Sequence, residues 1–413
     1  ALRIGIKPNM VSASEPSNGA TTHTEIIAGI LEYLKENGFR NVMILEGSWV
    51  GDRTSDVFEV CGYQKICEDY DVVFHDTQKD KSFTKDCSGL ELKICNSVKD
   101  IDFLINVPVL KGHCQTKITC ALKNMKGLIP NSEKRHFHSM GLHKPIAHLN
   151  AGIHQDFIVV DNICGDLDFE DGGNPVVMNR ILTAVDPVLV DAYVCNMLHY
   201  EVSEVPYVVL AEQLGVGCAD LAKADICICG KNQEVQIRKR KKVVEVADAV
   251  EEVDSCSACY GYLIPALDML KQDGLLEKLD QKICIGQGYR DKTGELGVGH
   301  CTRHFRCHAE GCPPTENQIY EKFIISTTFF VHSLNQFSGT LFFPSQTFHN
   351  GLYTCLKRCV NKDSQCIVFQ DVVGTSSNND AVFCVSKVQN NITLAFIEYI
   401  IHGNCEMLCI DLN

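Results

Sequence analysis

No stretch of eighteen or more apolar residues occurs in the 413-residue chain, so no segment has the length needed to cross a bilayer as a helix. Cations are in deficit. Lys and Arg number 38 against 52 Asp and Glu, a formal net charge of −14, which argues against general nucleic-acid binding, because that requires a broad cationic surface to displace counterions. Residues Ala1 to Pro8 lack the charged, apolar and small-residue order of an export signal and read as a strand. The glycines of Gly286-Gln287-Gly288 and Gly294 to Gly299 follow a strand candidate, yet they match neither a dinucleotide fingerprint nor a Walker loop, and plain turns account for them.

Cysteine is abundant, at 23 residues. Such a count belongs either to a disulfide-rich secreted protein or to a cytoplasmic one with reduced thiols and metal ligands. Cys120, Cys195, Cys227 and Cys229 fall inside apolar strand and helix patterns, where a free thiol behaves as a small hydrophobe, and this favours the cytoplasmic reading. With 45% hydrophobic and 22% charged residues the composition is globular, and the length suits two or three domains.

Apolar strands alternate with amphipathic helices, which predicts an α/β fold: a mostly parallel sheet with helical crossovers, a second smaller α/β layer and an atypical C-terminal tail. Strand candidates are Leu2 to Lys7, Asn41 to Leu45, Val72 to His75, Phe103 to Val107 and Phe157 to Asp161. Ile26, Ile27, Ile30, Leu31 and Leu34 recur at helical spacing in Thr24 to Asn37, with a Thr cap before them and Gly38 after. Further helices are expected over Thr116 to Lys126 and Pro187 to His199, the latter capped by Asp186, while a polar, His-rich loop is expected after Pro130. The second layer holds strands Ile226 to Ile228 and Lys282 to Ile285 and a helix from Tyr262 to Leu276. Within it, Glu234 to Val246 is hairpin-like around the solvated basic run Arg238 to Lys242. The resulting division is 1–220 as an anion-binding α/β domain, 221–323 as a Cys-containing α/β domain and 324–413 as the tail. That tail is either a β-rich accessory region, with candidates Ala381 to Val385 and Leu394 to Tyr399, or a gene-model artefact. Its Asn391-Ile392-Thr393 sequon matters only in a secreted protein.

Lys111 to Asn150 holds six Lys, one Arg, five His and a single acidic residue, Glu133, a charge of +6 inside an acidic chain. Cations so concentrated mark a local site for a carboxylate or phosphate. Lys123 and Lys126, near a helix end closed by Gly127, are candidates to clamp an oxyanion, although lysines there also simply complement the helix dipole. Lys7, His23 and Lys111 stand at strand ends, where open parallel sheets bind ligands, and His113 is a candidate proton-transfer imidazole. Its neighbour Cys114 is a poor nucleophile partner for it, since adjacent residues seldom face each other. His136, His138, His143 and His148 offer imidazoles without metal-ligand spacing, and Asp191 lies in the helix that Asp186 caps.

Cys256-Ser257-Ala258-Cys259, Gly299-His300-Cys301 and Gly311-Cys312-Pro313-Pro314 supply four thiolates, Cys256, Cys259, Cys301 and Cys312, with Cys307 and His308 as substitutes. Four thiolates hold a 4Fe-4S cluster or tetrahedral zinc. With this much cysteine, chance yields on the order of one Cys-x-x-Cys pair, so the Gly and Pro context carries the inference and reduced structural thiols are the plain alternative.

Ile6-Lys7-Pro8-Asn9-Met10, Ala20-Thr21-Thr22-His23, Leu45-Glu46-Gly47-Ser48, Asn106-Val107-Pro108, Lys111-Gly112-His113 and, most specifically, Lys123-Asn124-Met125-Lys126-Gly127-Leu128-Ile129-Pro130 resemble domain-of-unknown-function family 362 across residues 1 to 323. The resemblance implies an α/β fold and, as in many members, an associated iron-sulfur function. The family is similar in layout, though not in matching ligands, to nickel-dependent lactate racemase. Three functions are therefore expected: an iron-sulfur redox protein acting on a small anionic metabolite with an electron-transfer partner; a metal-dependent isomerase, with zinc or nickel, using the Lys/His segment; or a non-catalytic metabolite-binding module.

Overall fold

The computed structural model describes residues 2–169, 172–229, 237, 242–324 and 406–412, which fall in one compact unit, Ala1–Thr327 with Asn404–Asn413. Its centre is an eight-stranded sheet. From one edge the order is Ala224–Cys229, Glu406–Leu412, Pro175–Ala184, Phe157–Asp166, Phe103–Val107, Ile4–Pro8, Val42–Glu46 and Val73–Asp76. The last five named run parallel to one another. Pro175–Ala184 turns back antiparallel on Phe157–Asp166; Glu406–Leu412 pairs parallel with Pro175–Ala184 and antiparallel with Ala224–Cys229.

Strand Ile4–Pro8 is the pivot. The chain adds Val42–Glu46 and Val73–Asp76 on one side of it and Phe103–Val107 and Phe157–Asp166 on the other, so the strand order reverses between Ile4–Pro8 and Phe103–Val107. Crossovers then leave in opposite directions, and a crevice opens outside the carboxyl ends of these strands. Lys7, Glu46 and Asn106 occupy those ends.

Helix Thr24–Glu36 buries Ile26, Ile27, Leu31 and Leu34, the face its spacing predicts. Its N-cap is His23, with no side-chain cap bond, so the expected Thr cap is absent. Asp186 caps Pro187–Met197 as expected, accepting from Val188 N and Leu189 N at 2.8 and 2.9 Å.

A second, four-stranded parallel sheet, Val250–Glu252, Ile283–Ile285, Leu296–Val298 and Cys307–Ala309, packs with helix Ser257–Gln272. Its own core includes Leu263, Leu267, Leu270, Ile283, Ile285, Val298 and Phe323.

Several expectations are corrected. Ile226 to Ile228, expected in the second layer, lies in Ala224–Cys229 at the edge of the eight-stranded sheet, where it pairs with Glu406–Leu412. The helix expected over Thr116 to Lys126 begins only at Ala121: Lys117–Thr119 is a strand paired with Lys111–His113, and Lys117 takes a positive φ. The segment after Pro130 is two helices, Asn131–Met140 and His143–Gly152. Pro145 fits the second because a first-turn N–H has no intrahelical partner to lose. Lys242–Ala247 is helical where a hairpin arm is expected, while Arg238 to Lys241 lie outside the described residues. The helix expected from Tyr262 starts at Ser257 and so takes in Cys259. Cys120 and Cys195 are core residues, but Cys227 and Cys229 are exposed. In the tail, Ala381 to Val385, Leu394 to Tyr399 and the sequon lie outside the described residues. Among those described, no helix is long and apolar enough to cross a membrane.

Candidate active site

At the strand ends, Lys7 is buried and its ammonium bonds to the Glu46 carboxylate and to Pro8 O, the latter at 2.7 Å. Burial pushes the Lys7 ammonium below its usual range, against the pull of Glu46. Gly127 closes over this pair. A Cβ there would lie 1.7 Å from Glu46 Oε1 and 2.6 Å from Lys7 Nζ, so the Lys126-Gly127 turn reaches the strand ends only because it carries no side chain.

Asn124 locks the same turn to the sheet, donating to Asn106 Oδ1 at 2.7 Å and to Lys7 O at 3.2 Å. The short helix Ala121–Asn124, which carries Lys123, is capped from a distance: Asp191 accepts Ala121 N at 2.7 Å and Leu122 N at 3.2 Å. Burial outweighs these bonds and pushes the Asp191 carboxyl up to about 7.

The hairpin Lys111–His113 and Lys117–Thr119 forms another wall. Lys111 and His113, two apart on a strand, share a face, and both line a cavity of about 110 Å³. Lys111 Nζ donates to Ala20 O at 2.7 Å. His113 Nδ1 accepts the backbone N–H of Gln115 at 3.0 Å and of Thr116 at 3.2 Å. An acceptor at Nδ1 puts the proton of the neutral ring on Nε2. The ring is therefore set as a donor through Nε2, and Cys114 Sγ, 3.9 Å from Nδ1, meets the nitrogen already engaged by the backbone.

Lys123, Lys126, Lys134, His138, Asn9, Glu46 and Asn124 line the same cavity. Of the sequence-derived candidates, Lys111, His113, Lys123, Lys126 and His138 thus meet in one place. Lys7 stands behind its wall through Glu46, and His23 lies apart, its Nδ1 on Asp161 Oδ2 at 2.7 Å. Burial opposes a charge on His23, but Asp161 overrides it and the ring is pushed up to about 10. His136 pairs with Glu133, His148 with Cys87 O, and His143 stacks on Tyr207, so these three have partners of their own.

Sequence reading passed over Glu46 and Lys134. Lys134 Nζ donates to Gly47 O at 2.8 Å and Ser48 O at 2.7 Å from a buried position. The signal for it lay in the cationic segment, but a lysine turned inward looks in sequence like one turned outward.

The third wall is the start of helix Ser257–Gln272: Ala258, Gly261 and Tyr262 also line the cavity. Trp49 packs edge-on against Tyr262 at 6.3 Å, and both continue into a wider cleft lined also by Phe169, Pro265 and Glu316.

Around this helix start the four sequence-derived thiols share one electrostatic neighbourhood. Cys256 is the N-cap and Cys259 the third helical residue. Burial raises the Cys259 thiol, and charge on Cys256, Cys312 and Cys301 raises it further, up to about 12; Cys256 is raised by burial and then by Cys301 and Cys312. Cys301 lies close enough to Arg290 to raise its guanidinium, and Gln287 reaches Cys256 Sγ at 3.9 Å. Every cysteine whose side chain is described is a free thiol. Among the described residues, no three His, Cys, Asp or Glu are grouped as one metal ion requires.

Residues 4–196 match the family described as Domain of unknown function (DUF362), the family the sequence resembles; the four thiols lie beyond the matched segment. The chain is 23% identical over 227 residues to a thylakoid-associated protein of Synechocystis sp., covering 52% of this chain and 68% of the relative. Among solved structures, the lactate racemase apoprotein from Thermoanaerobacterium thermosaccharolyticum aligns at 18% identity with a TM-score of 0.28, over 38% of this chain. The aligned part spans 42% of the racemase chain.

Proposed function

We propose that this protein with a DUF362 domain is a cytoplasmic iron-sulfur redox protein, which binds a small carboxylate or phosphate at the strand ends and exchanges electrons with it and with a separate electron-transfer partner. The observation that carries this reading is the place of Ala258. It lies between Cys256 and Cys259 in sequence and lines the cavity that holds Lys111, His113, Lys123 and Lys126. One turn of helix therefore separates a cationic pocket from a group of thiols.

Four cysteine thiols are the donor type that an iron-sulfur cluster takes. Burial and the charge of neighbouring thiols raise Cys256 and Cys259, and a cationic iron core would relieve that repulsion. Cys256, Cys259, Cys301 and Cys312 would hold it. When bound, the cluster supplies one-electron transfer, with a potential tuned by hydrogen bonds to its sulfurs. Gln287, 3.9 Å from Cys256 Sγ, is the neighbour placed for that tuning.

The remaining work belongs to the chain. Lys123 and Lys126, held by the Asn124 and Gly127 contacts, attract and orient the anion; His113 donates from Nε2 to an oxygen of it; Trp49 and Tyr262 line the passage from the cavity to the wider cleft. The test is anaerobic purification of the full chain with visible absorption and iron and sulfide analysis. Broad visible absorbance with about four irons per chain is expected, whereas colourless, iron-free protein removes the redox reading and leaves the anion site to stand alone.

A further inference from the structure

We infer that Lys134 is the proton-exchanging residue of the anion cavity, giving a proton from its amine to the bound anion and recovering it from solvent. The inference rests on the anion-binding half of the proposed function and not on the cluster.

Lys134 lines the cavity and is 5% exposed, and its hydrogen bonds among the described residues go to Gly47 O and Ser48 O. An ammonium has three N–H groups and a neutral amine two. Both backbone carbonyls therefore keep a donor in either protonation state, and the third position on nitrogen carries a proton in one state and a lone pair in the other. Changing state orphans no buried acceptor, which would otherwise cost about 1–3 kcal/mol. Lys7 has no such freedom, because its ammonium is paired with Glu46.

The surroundings poise that change near neutrality. Burial is the largest influence and disfavours the ammonium; Glu46, Cys95 and Asp76 favour it, Lys7 opposes it, and the net effect brings Lys134 down to about 8. Lys111, His113, Lys123, Lys126 and, one turn on in the same helix, His138 line the same cavity. In the step itself, one N–H bond of Lys134 breaks, its electron pair stays on nitrogen, and the proton joins a substrate atom that has gained electron density. The amine remains held by its two N–H bonds.

A carbonyl-reactive role fits less well. An iminium at Lys134 would keep one N–H, leaving Gly47 O or Ser48 O without its donor.

The test is competitive labelling of the full chain with trace acetic anhydride from about pH 6 to about pH 11, a span that brackets neutral and ordinary lysine titration. Peptide mass spectrometry would compare Lys134 with the exposed Lys65, with and without inorganic phosphate. Expected is half-labelling of Lys134 near pH 8, Lys65 titrating in the ordinary range, and severalfold protection of Lys134 by phosphate. A Lys134 midpoint matching that of Lys65, with phosphate protection intact, overturns the inference and leaves the anion site standing. Absence of protection, together with absence of phosphate binding by calorimetry, overturns both. A borohydride-trapped adduct of pyruvate on Lys134 overturns proton exchange in favour of a nucleophilic amine.

Discussion

Gln115 donates from Nε2 to Ser255 Oγ at 2.7 Å, which ties the residue after Cys114 to the residue before Cys256. The same side chain donates to Ser255 O at 3.2 Å and Glu252 Oε1 at 2.9 Å, while its backbone N–H fixes the His113 ring. The anion cavity and the thiol group are thus joined through one residue as well as through Ala258.

Replacing Gln115 with Ala removes those side-chain bonds and keeps the backbone N–H. At about 0.5–1.5 kcal/mol for a net hydrogen bond, phosphate affinity should fall about two- to tenfold as the hairpin loosens. Calorimetric titration measures this; unchanged affinity would mean that the hairpin is held without Gln115.

Trp49 is the only tryptophan in the chain and stands at the cavity wall. Its emission should change when inorganic phosphate binds. Lys123→Gln and Lys126→Gln should each weaken that titration about tenfold, equivalent to about 1.4 kcal/mol, and added salt should weaken the parent as well. A phosphate response that survives both substitutions would place the anion elsewhere.

His23 sits between burial and Asp161, with its ring pushed up to about 10 from an ordinary 6.5. Between those values the folded chain holds a proton that the unfolded chain has released, so stability falls as pH rises across that window and is fully present below it. Denaturant midpoints measured from about pH 6 to about pH 10 should show the decline, and His23→Gln should flatten it. An equal slope in the variant would assign the decline to other groups.

Asp191→Ala strips the cap from the Ala121–Asn124 helix. Losing a buried acceptor shared by two N–H groups should cost about 1–3 kcal/mol, visible as a lower melting temperature together with weaker phosphate binding. Asp191→Asn keeps an acceptor oxygen and should recover much of both, and failure of that rescue would show that the charge itself is needed.

The parts of the fold that sequence showed were those where burial and hydrophobicity coincide. Phe103–Val107 buries all but its first residue, and the apolar stripe of Thr24–Glu36 is the stripe that packs. Legibility failed where the two part company. Helix Asn131–Met140 buries Glu133, Lys134 and Phe137, so its inward face is mostly charged and its period is invisible to a hydrophobic reading. Lys117 has a left-handed backbone that no residue type announces, and it ended the expected helix. The partner that neutralises Lys7 was quoted within a motif, but a cross-strand pair separated by thirty-nine positions leaves no local trace.

Gly112 separates Lys111 from His113, and a Cβ on it would fall 2.3 Å from Leu167 O and 2.9 Å from Asp168 N, backbone atoms with no room to yield. A library randomised at position 112 and sorted for phosphate binding should therefore return glycine almost alone, with alanine already lost. The position touches no ligand, yet substitution tolerance there would report on the site as sharply as at the lysines themselves: the spacing between two functional side chains is maintained by the bare back of the strand.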